Sequence, residues 1–318
     1  MKVNLSQKRL CHSLLGRLIQ DIVIMTTTNL IAVEQLNQCV VEHIRGRVMS
    51  KLNEEPDKYH PNDVKKFKER SELIYRFLID FIEDNGGLTA QDSANCPEKV
   101  TKAILETLNW RLTFGVNSSQ DSDFPQEFYR LNLFRISKRV DGSIFLFISI
   151  RKLIRLRQWN NVYIHFIIHE MDKICEIMFT DPDFFKKVKP HVLSDASEIG
   201  LGQIDFSFVF TMIPIFINHY PQAFTTIWLY ELPYFSLHLK TIVMKTLPHR
   251  VTKKITFTDK KRIVNDIGAE NLPEEYCGTS TEPLTELTST SASTLREVGR
   301  KNGISDKEID KMIASLTF

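Results

Sequence analysis

Apolar positions set a helical rhythm through the first third of the chain. Leu10, Leu14, Leu18 and Ile22 recur every four residues, and Val33, Leu36, Val40, Val41, Ile44 and Val48 mark one face of a helix expected to stop near Asn53, ahead of Pro56 and Pro61. Asn62 as N-cap, with Asp63 complementing the helix dipole, starts another helix that carries Val64 and Phe67. A further one runs from Glu72 through Leu73, Phe77, Leu78 and Phe81 to Asn85-Gly86-Gly87, where glycine accepts the left-handed conformation that closes a helix. Pro97 at a first-turn position opens the next, with Val100, Ile104, Leu105, Leu108 and Leu112 on one face.

Near residue 130 the period shortens. Residues 129–137 and 143–150 are apolar and β-branched, and Val140-Asp141-Gly142 between them is a turn signal, so a hairpin is expected. A helix over 159–179, a strand at 191–194, a helix over 205–217, a strand at 225–230, a helix over 234–247, a strand at 251–257 and a short helix within 259–267 follow. Strands alternating with helices imply an α/β layer with some parallel pairing, set behind an all-helical block. Ten of the sixteen residues from 279 to 294 are Ser or Thr, too few apolar groups to bury a core, so this stretch reads as a disordered linker. Beyond it Ser305 and Glu308 form a capping-box pattern ahead of Ile309, Met312, Ile313 and Leu316, a short amphipathic tail helix.

Composition adds limits. With 318 residues, 42% hydrophobic and a formal net charge of +2, the chain supports a sizeable core and is not a wholesale nucleic-acid coat. Cys11, Cys39, Cys96, Cys175 and Cys277 are odd in number and scattered without a C-x-x-C pair, as expected of reduced thiols in a cytosolic protein. The N-terminus mixes Lys8, Arg9, Arg17 and Asp21 into its apolar residues, unlike a secretory signal, and the longest apolar run, 206–217, is too short to span a bilayer about 30 Å thick.

Catalytic signals are weak. No G-x-S-x-G, Walker A, G-x-G-x-x-G or H-E-x-x-H motif occurs. His165 and His169 stand at i and i+4, a spacing that two ligands of one metal can use, but no further ligand is identifiable and a histidine pair on a half-buried helix is the plainer reading. Glu170 and Asp172, at i and i+2, do not face each other. Neither an enzyme nor a cofactor is expected.

Several segments, taken in order, resemble the CRAL-TRIO family. Arg76-Phe77-Leu78 is similar to its R-F-L helix, and Glu98-Lys99 through Leu105 to Leu108-Asn109-Trp110-Arg111 to its E-K-A…L-x-W-R segment. Tyr220-Pro221 precedes an expected core strand, Leu232-Pro233 follows it, and Glu270-Asn271-Leu272-Pro273-Glu274-Glu275-Tyr276-Cys277-Gly278 resembles the family's E-N-L-P-x-x-x-G-G terminator, with Cys277 in place of the first glycine. Within the family, Asp57-Lys58-Tyr59 with Asp63-Val64, residues 193–200 and Ile204-Asp205 resemble the motile sperm domain-containing branch. The sequence ends at Phe318 without that branch's major-sperm-protein domain and membrane anchor, so its tethering role is not expected.

The resemblance implies a helical N-terminal region followed by an α/β lipid-binding domain with a mixed sheet and a lipid pocket. It divides the chain into a helical extension (1–55), a CRAL-TRIO N-terminal region (56–115), the lipid-binding domain (116–279), the Ser/Thr-rich linker (280–304) and the tail helix (305–318). It assigns Phe145, Phe147, Phe206, Phe208, Phe210, Met212, Ile215, Phe216, Trp228 and Tyr230 to the pocket, where composition alone would read plain core. It likewise makes 234–247 a gate helix with Phe235, Leu239, Ile242 and Val243 on its apolar face, otherwise an ordinary amphipathic surface helix. Pro214 inside the pocket helix should cost a hydrogen bond and kink the chain.

Eight basic residues, Lys240, Lys245, Arg250, Lys253, Lys254, Lys260, Lys261 and Arg262, stand against one acid, Asp259, a local net of +7 inside a chain of +2. On one face they would attract an anionic membrane, at about 1 kcal/mol per cation near the surface; spread over several faces they are an ordinary solvated surface. The expectation is a non-enzymatic cytosolic protein that binds a phospholipid or similar ligand and presents or transfers it at internal membranes by reversible peripheral association. No nucleic-acid partner is expected, since no stacking aromatics interleave with the charges. The alternative is a protein-interaction module with a filled or kinked pocket that works through its tail helix.

Overall fold

A computed structural model describes residues 30–70, 72–84, 90–140, 142–153, 156–178, 190–200, 205–233, 241, 244–245 and 247–316, with backbone alone described at residues 30–39, 72, 90–94 and 206. The amphipathic stretch expected at residues 1–24 and the Asn85-Gly86-Gly87 stop lie outside the described residues. The chain divides into two units, Met1–Asn117 and Ser118–Phe318. The helices on both sides of residue 55 fall within the first unit.

The physical reason lies in the core of the first unit. Helix α1 (Leu30–Glu54) presents Val41, Ile44, Val48 and Leu52, spaced three and four apart, to one hydrophobic cluster. Phe67 of α2 (Pro61–Glu69), Ile74, Phe77 and Leu78 of α3 (Glu72–Asp84), and Cys96, Val100, Ile104 and Leu108 of α4 (Ala90–Phe114) complete it. His60, not Asn62, caps α2, its ring accepting from the Asn62 N–H, with Pro61 at the first helical position. Asp63 is buried and accepts from Arg111 Nε at 2.9 Å and Asn117 Nδ2 at 2.5 Å, which ties α2 to the far end of α4. Helix α4 starts seven residues before Pro97, which lies inside it. Proline forfeits one backbone bond there, and burial of Cys96 and Pro97 against the unit offsets the loss.

The second unit is built on a mixed sheet of strands β1 (Phe134–Lys138), β2 (Ile144–Ser149), β3 (His191–Asp195), β4 (Thr226–Tyr230), β5 (Ile255–Thr258) and β6 (Thr285–Glu286), in the spatial order β5-β4-β3-β2-β1-β6. β1 and β2 form the expected hairpin, with Gly142 at φ 80° in its turn. β2 through β5 run parallel. Helix α6 (Asn160–Met178) crosses from β2 to β3, and α7 (Phe206–His219) from β3 to β4. Tyr129, expected at the head of β1, sits instead in the short helix α5 (Gln126–Arg130), and β5 is preceded by another, α8 (His249–Thr252), rather than starting at residue 251.

The sheet is covered on both faces. On one, Phe145, Phe147, Leu193, Trp228 and Tyr230 pack against Ile263 and Ile267 of α9 (Ile263–Ile267), Leu272 and Tyr276. Phe145 stacks on Phe147 and on Trp228 at ring separations of 4.7 and 5.6 Å. The 270–278 terminator explains its own residues. Asn271 is buried, donating to Ile267 O and accepting from Val140 N, and so holds the hairpin turn. A Cβ on Gly278 would fall 1.8 Å from the carbonyl oxygen of Leu272, so only glycine fits. Cys277 takes the left-handed conformation, φ 62°, that a glycine there would adopt without strain.

The Ser/Thr-rich stretch is not the disordered linker its composition suggests. Thr285 and Glu286 add β6 to the free edge of β1. The Ser293 backbone bonds Phe124 O and Gln126 N, its hydroxyl donates to Ser122 O, and Thr294 forms a capping box with Glu297 on α10 (Leu295–Lys301). A segment with so few apolar residues cannot make a core of its own, but Leu284 packs against the sheet's core cluster, the backbone completes a sheet edge and the hydroxyls satisfy nearby backbone groups. The tail helix, α11 (Asp306–Ser315), packs on α10 with Ile309 and Met312 fully buried within this unit. The apolar face expected to meet a protein partner is already covered, leaving Ile313 exposed.

Candidate functional site

Parallel pairing aligns residues of like parity across the sheet. Ile148, Ser194, Leu229 and Phe257 form one row, and Leu146, Val192, Ile227 and Ile255 the next, both on the face opposite Phe147 and Trp228. Above this face lies a cavity of about 450 Å³. Ile148, Val192, Ser194, Ile227, Leu229, Ile255 and Phe257 line its sheet side, Asn160, Tyr163, Ile167 and Met171 of α6 one flank, and Phe208, Val209, Met212, Ile213, Phe216 and Ile217 of α7 another. It far exceeds the roughly 30 Å³ that one water occupies in the liquid. Apolar side chains dominate the wall, and no Lys, Arg or His lines it among the described residues. The one carboxylate among the described lining residues, Asp205, caps α7 by accepting from Ser207 N and Phe208 N and takes a further bond from Asn160 Nδ2 at 3.1 Å. The Ser207 hydroxyl, 2.6 Å away, is the main reason the carboxyl is held at about 2.

The residues assigned to the pocket from sequence are dispersed. Phe208, Met212 and Phe216 line the cavity. Phe145, Phe147, Trp228 and Tyr230 do not, because strand periodicity turns them to the opposite, close-packed face. Phe210 is 40% exposed, Ile215 is half-buried outside the lining, and the side chain of Phe206 lies outside the described residues. Pro214 leaves α7 continuous and sits on its exposed side. Phe235, Leu239, Ile242 and Val243 of the expected gate, and Lys240, lie outside the described residues; from the same segment Met244 and Leu247 line the cavity. The sequence reading missed the sheet side and the α6 stripe Tyr163, Ile167, Met171, whose i, i+4, i+8 spacing was visible.

The basic segment straddles β5, an edge strand. Lys253 is exposed before it and Lys260 and Lys261 after it, and Lys245 is also exposed. Lys254 donates to Gln222, Arg250 is half-buried, and Arg262 pairs with Asp259 and caps the Phe257 carbonyl on the strand's open edge.

His165 and His169 do not converge. His165 Nδ1 bonds Asn161 O, whereas His169 Nε2 bonds Asp121 Oδ1 at 2.8 Å and its Nδ1 meets Ser119 Oγ. Asp121, His169 and Glu170 lie close enough to share a cation, but the Lys173 ammonium occupies that place, bonded to both carboxylates. Burial raises the carboxyl of Asp121, and hydrogen bonds from Lys173, His169 and Ser289 outweigh it, leaving the group well below the usual carboxylate range. Glu170, fully buried, is pushed the other way by burial. Burial also pushes the Cys96 thiol up to about 12, far from a reactive thiolate.

The crystal structure of Sfh5 is similar at 15% identity with a TM-score of 0.45, over 54% of this chain and 64% of that one. The chain thus spans less than two thirds of that protein's length. Residues 140–278 match the family model of the CRAL/TRIO domain, an interval that begins in the β1–β2 turn and ends at Gly278.

Proposed function

We propose that this protein binds a hydrophobic ligand, a phospholipid or similar lipid, inside the cavity and presents or transfers it at cytosolic membrane surfaces without catalysing a reaction. At the level of the family, the CRAL/TRIO domain is one of lipid binding and transfer. The observation that carries the reading is the apolar cavity of about 450 Å³ between sheet and helices, within the size range of ligand pockets. Each methylene that an acyl chain buries there contributes about 0.8 kcal/mol, so chains of ordinary length hold a lipid firmly. Among the described residues of the basic segment, exposed Lys245, Lys253, Lys260 and Lys261 are cations available to an anionic surface, and no described helix is long and apolar enough to cross a membrane.

The test is native mass spectrometry of the purified protein before and after incubation with mixed phospholipid vesicles, followed by a transfer assay between donor and acceptor vesicles. A bound lipid and accelerated transfer are expected. A chain that stays empty and moves no lipid refutes the proposal.

A further inference from the structure

We infer that Ser194 anchors the ligand inside the cavity through an uncharged oxygen, a hydroxyl or an ester carbonyl, and that any charged head group stays outside the described wall; this rests on the lipid reading above. Ser194 is the one polar side chain in its row across the sheet, flanked by Ile148 and Leu229, and it faces the cavity. It is 6% exposed, and its hydroxyl makes no hydrogen bond within the described residues. The hydroxyl opens on the cavity, so a ligand that fills the space and excludes water leaves it unpaired on an apolar wall unless the ligand itself supplies a partner, and interiors pair such groups. Asn160 and Asp205, by contrast, already bond each other at 3.1 Å, and Asp205 is further committed to the start of α7. A phosphate drawn inside would meet that carboxylate and no described cation, so charge is rejected where a neutral oxygen is accepted.

The experiment uses the full chain, stripped of lipid, with dioleoylglycerol or the hydrocarbon squalane delivered from cyclodextrin and the bound fraction read by native mass spectrometry. Ser194→Ala should weaken dioleoylglycerol about fivefold to tenfold, the worth of one hydrogen bond, and leave squalane unchanged. Ser194→Thr, which keeps the hydroxyl, should restore most of the affinity. Equal losses for both probes would assign Ser194 a packing role and overturn the inference, as would unchanged dioleoylglycerol binding. If the wild-type chain takes up neither probe yet binds lipid from phospholipid vesicles, the inference is overturned and the lipid reading stands; if it takes up no lipid from those vesicles either, the lipid reading itself fails.

Discussion

Trp228 and Leu229 are neighbours on β4 that face opposite ways, and truncating each to alanine separates stability from ligand binding. Trp228 is 7% exposed among Phe145, Leu193 and Tyr276 on the close-packed face, so Trp228→Ala leaves a void there and should cost about 3–5 kcal/mol. Leu229 is half-buried and borders the cavity, and Leu229→Ala enlarges a space that already exists, so its cost should fall below the roughly 2–5 kcal/mol of a fully buried Leu→Ala. Its three lost carbons, where the ligand covers them, are worth about 2 kcal/mol of binding, or about thirtyfold in affinity. Urea denaturation must be followed on lipid-free protein, because a retained ligand stabilises the native state by mass action. Affinity is measured on the folded fraction by displacement of a fluorescent lipid. If Trp228→Ala weakens the ligand while Leu229→Ala leaves it untouched, the assignment of faces is wrong.

Gly278→Ala should lower stability by more than about 2 kcal/mol, since its Cβ would meet the Leu272 backbone, whereas Cys277→Gly should raise it by about 1 kcal/mol by relieving a left-handed cysteine; urea midpoints read both. Asp121 has a depressed carboxyl, so its contribution to stability is present above the unfolded carboxylate range and is lost as pH falls below about 4. Asp121→Asn should flatten that acid limb in denaturation at pH 6 against pH 3. The raised carboxyl of Glu170 acts with opposite sign, costing stability as pH rises, so Glu170→Gln should be tolerated better at pH 7 than at pH 3. Reversing Lys253, Lys260 and Lys261 to Glu should weaken sedimentation with anionic vesicles at low salt, and unchanged sedimentation would remove these residues from the membrane surface.

The sequence was most legible where a pattern has one physical solution. The i, i+3, i+4 stripe of α1 had to bury Val41, Ile44 and Val48, Gly142 had to turn the hairpin, and strands alternating with helices had to pair in parallel. It was least legible where two solutions share one pattern. Strands covered on both faces are apolar at nearly every position, so Phe147 and Ile148 look equally inward, and the larger aromatics drew the pocket assignment to the wrong side. The Ser/Thr stretch misled for another reason: its order comes from the unpaired edge of β1 and from Ser122, Phe124 and Gln126, more than 150 residues earlier in the chain.

By itself, then, the sequence determined the two-part character of the chain, the helices of the first unit, the hairpin, the parallel crossovers and the terminator glycine, because each follows from local periodicity or backbone freedom. Tertiary structure decided which sheet face holds the cavity, that the tail helix spends its apolar face internally, and that Lys173 sits between Asp121 and Glu170. Those outcomes depend on which distant surfaces meet, and hydrophobic burial is indifferent to direction until the layers are assembled.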